Sequence, residues 1–160
     1  MNFIPGIPLK PDALNNMGIK KYNNIYTAGY IMLILLWATT AASKLGNLNG
    51  FHSDLDRQVF SKIFTGMLLY AVPITELVTA ALLTFDKTRL AGLVISLFLI
   101  SAFTAYIILI LSGFFNKVPC SCGGVLKFLG WKAHLYFNSF FLLLSASVIY
   151  IHLKREVGDI

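Results

Sequence analysis

Charge is scarce in this chain. Only 12% of its 160 residues are Asp, Glu, Lys or Arg, while 57% are hydrophobic, which is too apolar for an ordinary soluble domain of that size. Carboxylates are the scarcest, seven against thirteen Lys and Arg. The resulting net charge of +6 needs no nucleic acid to explain it, because the basic residues flank apolar runs where anionic lipid headgroups account for them. Internal repeats and low-complexity tracts are missing, which leaves a solute transporter weakly founded. Haem, flavin and dinucleotide signatures are missing too, so any cofactor is a diffusible quinone or there is none. Cysteine is reduced to two residues, Cys120 and Cys122.

What the chain does have is apolar runs of membrane-spanning length. Ile25 to Ala42 carries no formal charge and measures about 27 Å as a helix. Ile63 to Phe85 is interrupted by Pro73 and Glu76, Leu90 to Phe115 is uncharged, and Leu135 to Leu153 contains Asn138 and His152. The expectation is an all-α, four-helix transmembrane bundle with spans near 25–43, 63–85, 89–115 and 133–153. A cysteine loop at 116–132, an irregular or surface-lying tail at 1–24 and a short tail at 154–160 complete it. An amphiphilic loop joins Ser43 to Lys62, and no room is left for a separate soluble domain. The first span reads as a retained anchor, because its apolar run exceeds a normal signal core.

An even number of spans puts both termini on one side. Lys10, Lys20, Lys21, Lys87, Arg89, Lys154 and Arg155 fall there, against Lys44, Arg57, Lys62, Lys117, Lys127 and Lys132 on the other. Lys20/Lys21 and Lys154/Arg155 lie hard against their spans, which favours cytoplasmic termini in a bacterial inner membrane. The cysteine loop then faces the periplasm, where disulfides persist.

Cys120 and Cys122 are separated by one residue. Closing them would make a ring smaller than that of a C-x-x-C pair, so the bond is strained and easily reduced. Lys117, Lys127, Lys132 and His134 favour thiolate, which suits exchange with an extracytoplasmic thioredoxin-like partner. A static bridge or inert thiols is the structural alternative. A metal would need His134 and His52 recruited from different loops at unconventional spacing. Gly123 and Gly124 let the backbone turn after the thiols, and Pro119 holds Val118 extended.

Glu76 is a carboxyl in mid-span. By residue count it lies about 13 Å from the inner face, level with Ser96 and Ser145. The favoured reading is a neutral carboxyl bonded to those hydroxyls; a proton site is the alternative. The same count separates Lys44, at the outer end of the first span, from Glu76, and leaves Lys44 snorkelling to the interface. Pro73 frees the carbonyl of Leu69 and is expected to kink the helix. Trp37 and Tyr106 fall in the outer half, where a quinone headgroup would approach the thiols, although belt or core packing explains them equally. Trp131 reads as an interfacial anchor. His134 reads as a solvated histidine, with proton relay as the alternative.

The stretch from Val118 to Asn138, V-P-C-S-C-G-G-V-L-K-F-L-G-W-K-A-H-L-Y-F-N, resembles the signature of MauE/DoxX-type redox-associated membrane proteins, especially the versions found in Bacteroidetes. Ala42-Ser43-Lys44-Leu45, Pro73 with Glu76-Leu77, and Phe103-Thr104-Ala105-Tyr106 match as well. The resemblance implies a four-helix bundle with an accessory role in thiol-disulfide chemistry, as when MauE supports maturation of the disulfide-rich methylamine dehydrogenase small subunit. It also implies distant kinship to quinone-reducing DoxX/DoxD proteins, and it does not imply methylamine as a substrate. Two function classes follow: a membrane thiol-disulfide redox protein, or a non-catalytic anchor or assembly subunit of a larger membrane complex.

Overall fold

The structure, a computed structural model, describes residues 11–58, 61–114 and 130–157, with the backbone alone for 11–21 and 157. Five α-helices follow in order: α1 (Pro11–Gly46), α2 (Leu48–Asp56), α3 (Lys62–Thr84), α4 (Arg89–Leu111) and α5 (Trp131–Val157). A single 3-10 turn, Asp86–Thr88, links α3 to α4. Four of these helices, all but α2, are long and apolar enough to cross a membrane. The all-α expectation is met among the described residues.

The long helices form a closed ring: α1 packs on α3, α3 on α4, α4 on α5, and α5 returns to α1. Each contributes one stripe at helical spacing, for example Leu93, Ser96, Ile100, Thr104 and Ile107 on α4, as period 3.6 requires. The core combines Tyr26, Leu33, Trp37, Leu83, Leu93, Phe141 and Val148 with buried Thr65, Thr79, Ser96 and Ser145. Large apolar side chains such as Ile63, Met67, Phe98 and Leu143 point outward. Hydroxyls inside and hydrocarbon outside is the arrangement of a bundle whose solvent is lipid. Thr79 and Thr104 satisfy their hydroxyls on the carbonyls of Thr75 and Ile100, so neither brings an unpaired donor into the core.

Several boundaries differ from expectation. α1 begins at Pro11, so residues 11–24 are helical rather than irregular. The amphiphilic connection contains α2, started by Asn47, whose side chain accepts from the Gly50 N–H at 2.9 Å, and held down by buried Phe51 and Leu55. α4 stops at Leu111 instead of near 115. Gly113 takes φ +75°, its N–H reaches Ile110 O at 3.1 Å, and the Phe114 N–H reaches Leu109 O at 3.2 Å. That is a Schellman closure, which glycine makes without steric penalty. α3 stays helical through Pro73.

The turn between α3 and α4 is tied by side chains. Thr88 Oγ1 donates to Leu82 O at 2.9 Å and Arg89 Nε donates to Leu83 O at 3.2 Å, satisfying carbonyls at the end of α3. Gly92 lies against that end: a Cβ there would sit 2.8 Å from Leu83 N and 3.0 Å from Leu82 C. Gly92→Ala therefore pits about 1 kcal/mol of helix propensity against overpacking of about 1–3 kcal/mol, with backbone as the obstacle. The variant should melt at a lower temperature in detergent. Gly29→Ala drives into the γ-methyl of buried Val148, a β-branched side chain with little rotamer freedom in a helix, and should lose stability as well; a Gly92→Ala protein as stable as the parent would contradict this packing.

Candidate functional site

Lys44 closes α1 as its last-turn cation. Side chains on a helix lean toward its N-terminus, and Lys44 follows that direction. Its Nζ donates to Thr40 O, one turn back, at 3.3 Å, and to Glu76 Oε1 on α3 at 2.7 Å. Both partners are withdrawn from the surface, with side-chain exposures of 12% for Lys44 and 2% for Glu76. This corrects the residue count in two ways. Lys44 does not snorkel outward, and the backbone levels of the two residues are bridged by a side chain reaching inward. Glu76 is also not bonded to the two serines.

Those serines belong to a separate layer. Trp37 Nε1 donates to Ser96 Oγ at 2.8 Å, and Ser96 Oγ lies 3.4 Å from Ser145 Oγ. This ties α1, α4 and α5 through the centre. The Trp37 ring stands 6.4 Å from that of Phe103, so Trp37 is a buried core side chain, not a belt residue. Trp37 lies two turns before Lys44 on α1, which puts the Trp37–Ser96–Ser145 layer beneath the Lys44–Glu76 layer.

Above the ion pair lies α2. Phe51 is buried, and its ring centroid is 5.8 Å from Lys44 Nζ. On α5, His134 is only 6% exposed, and the Lys44 ammonium is near enough to act on its ring electrostatically. The solvated histidine expected from the sequence is thus a buried one. Its helix starts at Trp131, and the His134 N–H bonds to Gly130 O at 3.1 Å. That first turn points His134 into the bundle mouth rather than along the surface. Tyr106 on α4 donates its hydroxyl to Gln58 Oε1 at 2.6 Å and meets the Trp131 ring edge-on at 6.5 Å. The end of α2, the end of α4 and the start of α5 are thereby drawn together. His52, on α2, pairs with Asp56 at 3.4 Å.

Two polar atoms in this mouth are buried and have no hydrogen-bond partner among the described residues: Glu76 Oε2 and His134 Nδ1. Both flank the Lys44 ammonium, and buried polar groups are nearly always paired, so these two atoms stand apart from the rest of the core. Lys117, Pro119, Cys120, Cys122, Gly123 and Gly124 lie outside the described residues. The helix ends that bracket them do not. α4 ends at Leu111 and α5 starts at Trp131, so the described residues on either side of the cysteine segment lie at the end of the bundle that holds Lys44, Glu76 and His134. Sequence reasoning singled out all three but did not join them, and it missed Phe51 and Gln58. The amphipathic spacing of Phe51 and Leu55 was the available signal for a helix packed over the mouth.

The family model described as methylamine utilisation protein MauE matches residues 22–151. None of the curated proteins and none of the solved structures matches the chain.

Proposed function

This chain belongs to the MauE family, a multi-pass membrane protein with four apolar spans, and from that premise we propose that it is a thiol-disulfide redox protein working through Cys120 and Cys122. The observation that carries the reading is the attachment of the cysteine segment at the end of the bundle that holds a buried, incompletely paired Lys44–Glu76–His134 cluster. In the proposed step, a thiolate of an extracytoplasmic, thioredoxin-fold partner attacks one sulfur of the Cys120–Cys122 disulfide. The internal S–S bond breaks, a mixed disulfide forms, and the second cysteine leaves as thiolate and takes up a proton. The partner's second thiol, losing its proton, then displaces the mixed disulfide. The partner ends oxidised and Cys120/Cys122 ends as a dithiol. Re-oxidising the dithiol requires an acceptor of two electrons and two protons, and a membrane quinone satisfies that chemistry. Lys44 favours thiolate at this end of the bundle by its charge, and His134, whose buried Nδ1 has no partner among the described residues, places a ring nitrogen at the same end. The role is accessory: maturation of disulfide-bearing proteins outside the cytoplasm.

The test is a redox titration of the purified full-length protein, read by mass after alkylation. A single two-electron transition of Cys120 and Cys122 is expected, at a potential more oxidising than that of structural disulfides, which lie below about −300 mV. An impermeant maleimide added to intact, reduced cells should modify the cysteines. Thiols that stay alkylatable under every oxidant would remove the redox reading, and modification only after membrane disruption would reverse the orientation.

A further inference from the structure

The opposite end of the bundle, which carries both ends of the described chain, holds a second cluster. Tyr26 is buried on α1, and its hydroxyl lies 2.8 Å from His152 Nδ1 on α5. The Arg155 guanidinium stands 4.5 Å over the Tyr26 ring, and that of Arg89 4.2 Å over Tyr30. Beside this cluster an open groove of about 410 Å³ runs between α1 and α5, lined by Tyr22, Ala146, Ser147, Tyr150 and Ile151.

The α5 wall is built from two rows at i, i+4 spacing, Ala146–Tyr150 and Ser147–Ile151. One more turn along the same rows gives Lys154 and Arg155, so the groove leads directly to two cations. Lys154 Nζ lies 5.3 Å over the Tyr150 ring, at the groove wall. Among the described residues the carboxylate of this turn, Glu156, continues the separate row of His152. Within the groove, Ser147 donates its hydroxyl to Leu143 O at 2.7 Å, which leaves the wall without a polar demand. Tyr22 and Tyr150 are 48% and 60% exposed, as expected of aromatic residues at headgroup depth. An apolar trough ending on two adjacent cations, opening to lipid, has the chemistry of a chain with an anionic head.

We propose that the groove between α1 and α5 is a binding site for one anionic phospholipid, its acyl chain lying along Ala146, Ser147 and Ile151 and its phosphate resting on Lys154 and Arg155. The site is independent of the cysteine chemistry and at the other end of the molecule.

The test is native mass spectrometry of the full-length protein, offered phosphatidylglycerol and phosphatidylcholine of identical chains in a neutral detergent. Phosphatidylglycerol adducts should exceed phosphatidylcholine adducts at least tenfold. Lys154→Gln/Arg155→Gln should bring the ratio within about twofold of unity, and Lys154→Gln alone should lower it partway should the double variant fold poorly. Arg57→Gln/Lys62→Gln, which removes equal charge at the other end, should leave the ratio unchanged. Ser147→Phe, which fills the trough, should cut phosphatidylglycerol adducts severalfold while glycerol phosphate competes with none of them. Equal adducts of both lipids, or a full phosphatidylglycerol signal in Ser147→Phe, would overturn the proposal. A ratio abolished equally by Arg57→Gln/Lys62→Gln would also overturn it, reducing the effect to net charge.

Discussion

Cells carrying Cys120→Ser or Cys122→Ser should accumulate a covalent complex between this protein and a thiol-bearing partner, visible as a reducible band on a non-reducing gel. The argument is one of missing resolution. A single variant has no internal disulfide to donate, so its complex forms in the reverse direction: the remaining thiolate attacks the disulfide of an oxidised partner, the partner's second sulfur leaves as thiolate, and in the intact protein the neighbouring cysteine would resolve the mixed disulfide. Removing that neighbour leaves the intermediate to be resolved only by outside thiols. The positive surroundings keep the attacking sulfur as thiolate, so capture should be efficient rather than marginal. One single variant should trap more than the other, and that difference identifies the sulfur that bonds the partner. The double variant should trap nothing and should lose support of disulfide formation in extracytoplasmic proteins. Partner capture by neither single variant, together with normal disulfide formation in the double variant, would leave the protein as a docking or assembly subunit.

The membrane architecture was legible because lipid imposes a one-dimensional rule. A helix must stay apolar over about 20 residues, and four such runs cannot hide in a chain of this length. The candidate site was legible only as separate residues. Counting rise per residue places backbones, and on that measure Lys44 and Glu76 are apart. The pairing comes from the lysine stem, which runs back along its own helix to Thr40 before meeting the carboxyl. Helix ends posed a similar difficulty. Nothing in the hydrophobicity of Leu109 to Phe115 marks an end at Leu111; the left-handed Gly113 does. His134 reads as a loop-proximal, solvated residue until α5 is seen to begin at Trp131, which turns its ring into the bundle. Family membership adds an accessory context but not the geometry of the buried cluster.

The cluster can be separated from the fold by mutation. Lys44→Met alone should destabilise the protein by about 3–5 kcal/mol, because it leaves the Glu76 carboxylate buried without its cation. Glu76→Leu alone should cost a similar amount for the mirror reason, since the Lys44 ammonium then faces apolar neighbours beneath Phe51. A buried pair also carries a desolvation penalty, so Lys44→Met/Glu76→Leu should regain most of the loss and melt near the parent. A cycle measured in one detergent gives the coupling directly, and a coupling below about 1 kcal/mol would mean that the 2.7 Å contact contributes little to stability. The double variant then becomes the informative one for function. It should fold, it keeps Cys120 and Cys122, and it lacks the Lys44–Glu76 charges. If the pair only holds α1 against α3, partner trapping on the double-variant background should match that of the parent. On the mechanism proposed here it should not, because thiolate formation loses the Lys44 ammonium, the more exposed member of the pair, while the Glu76 carboxylate that leaves with it is the deeper one. Trapping should slow by at least tenfold and recover partly as pH is raised, since hydroxide replaces the missing electrostatic help in deprotonating the thiol. Unchanged trapping kinetics across pH in a stable double variant would assign Lys44 and Glu76 to helix packing alone.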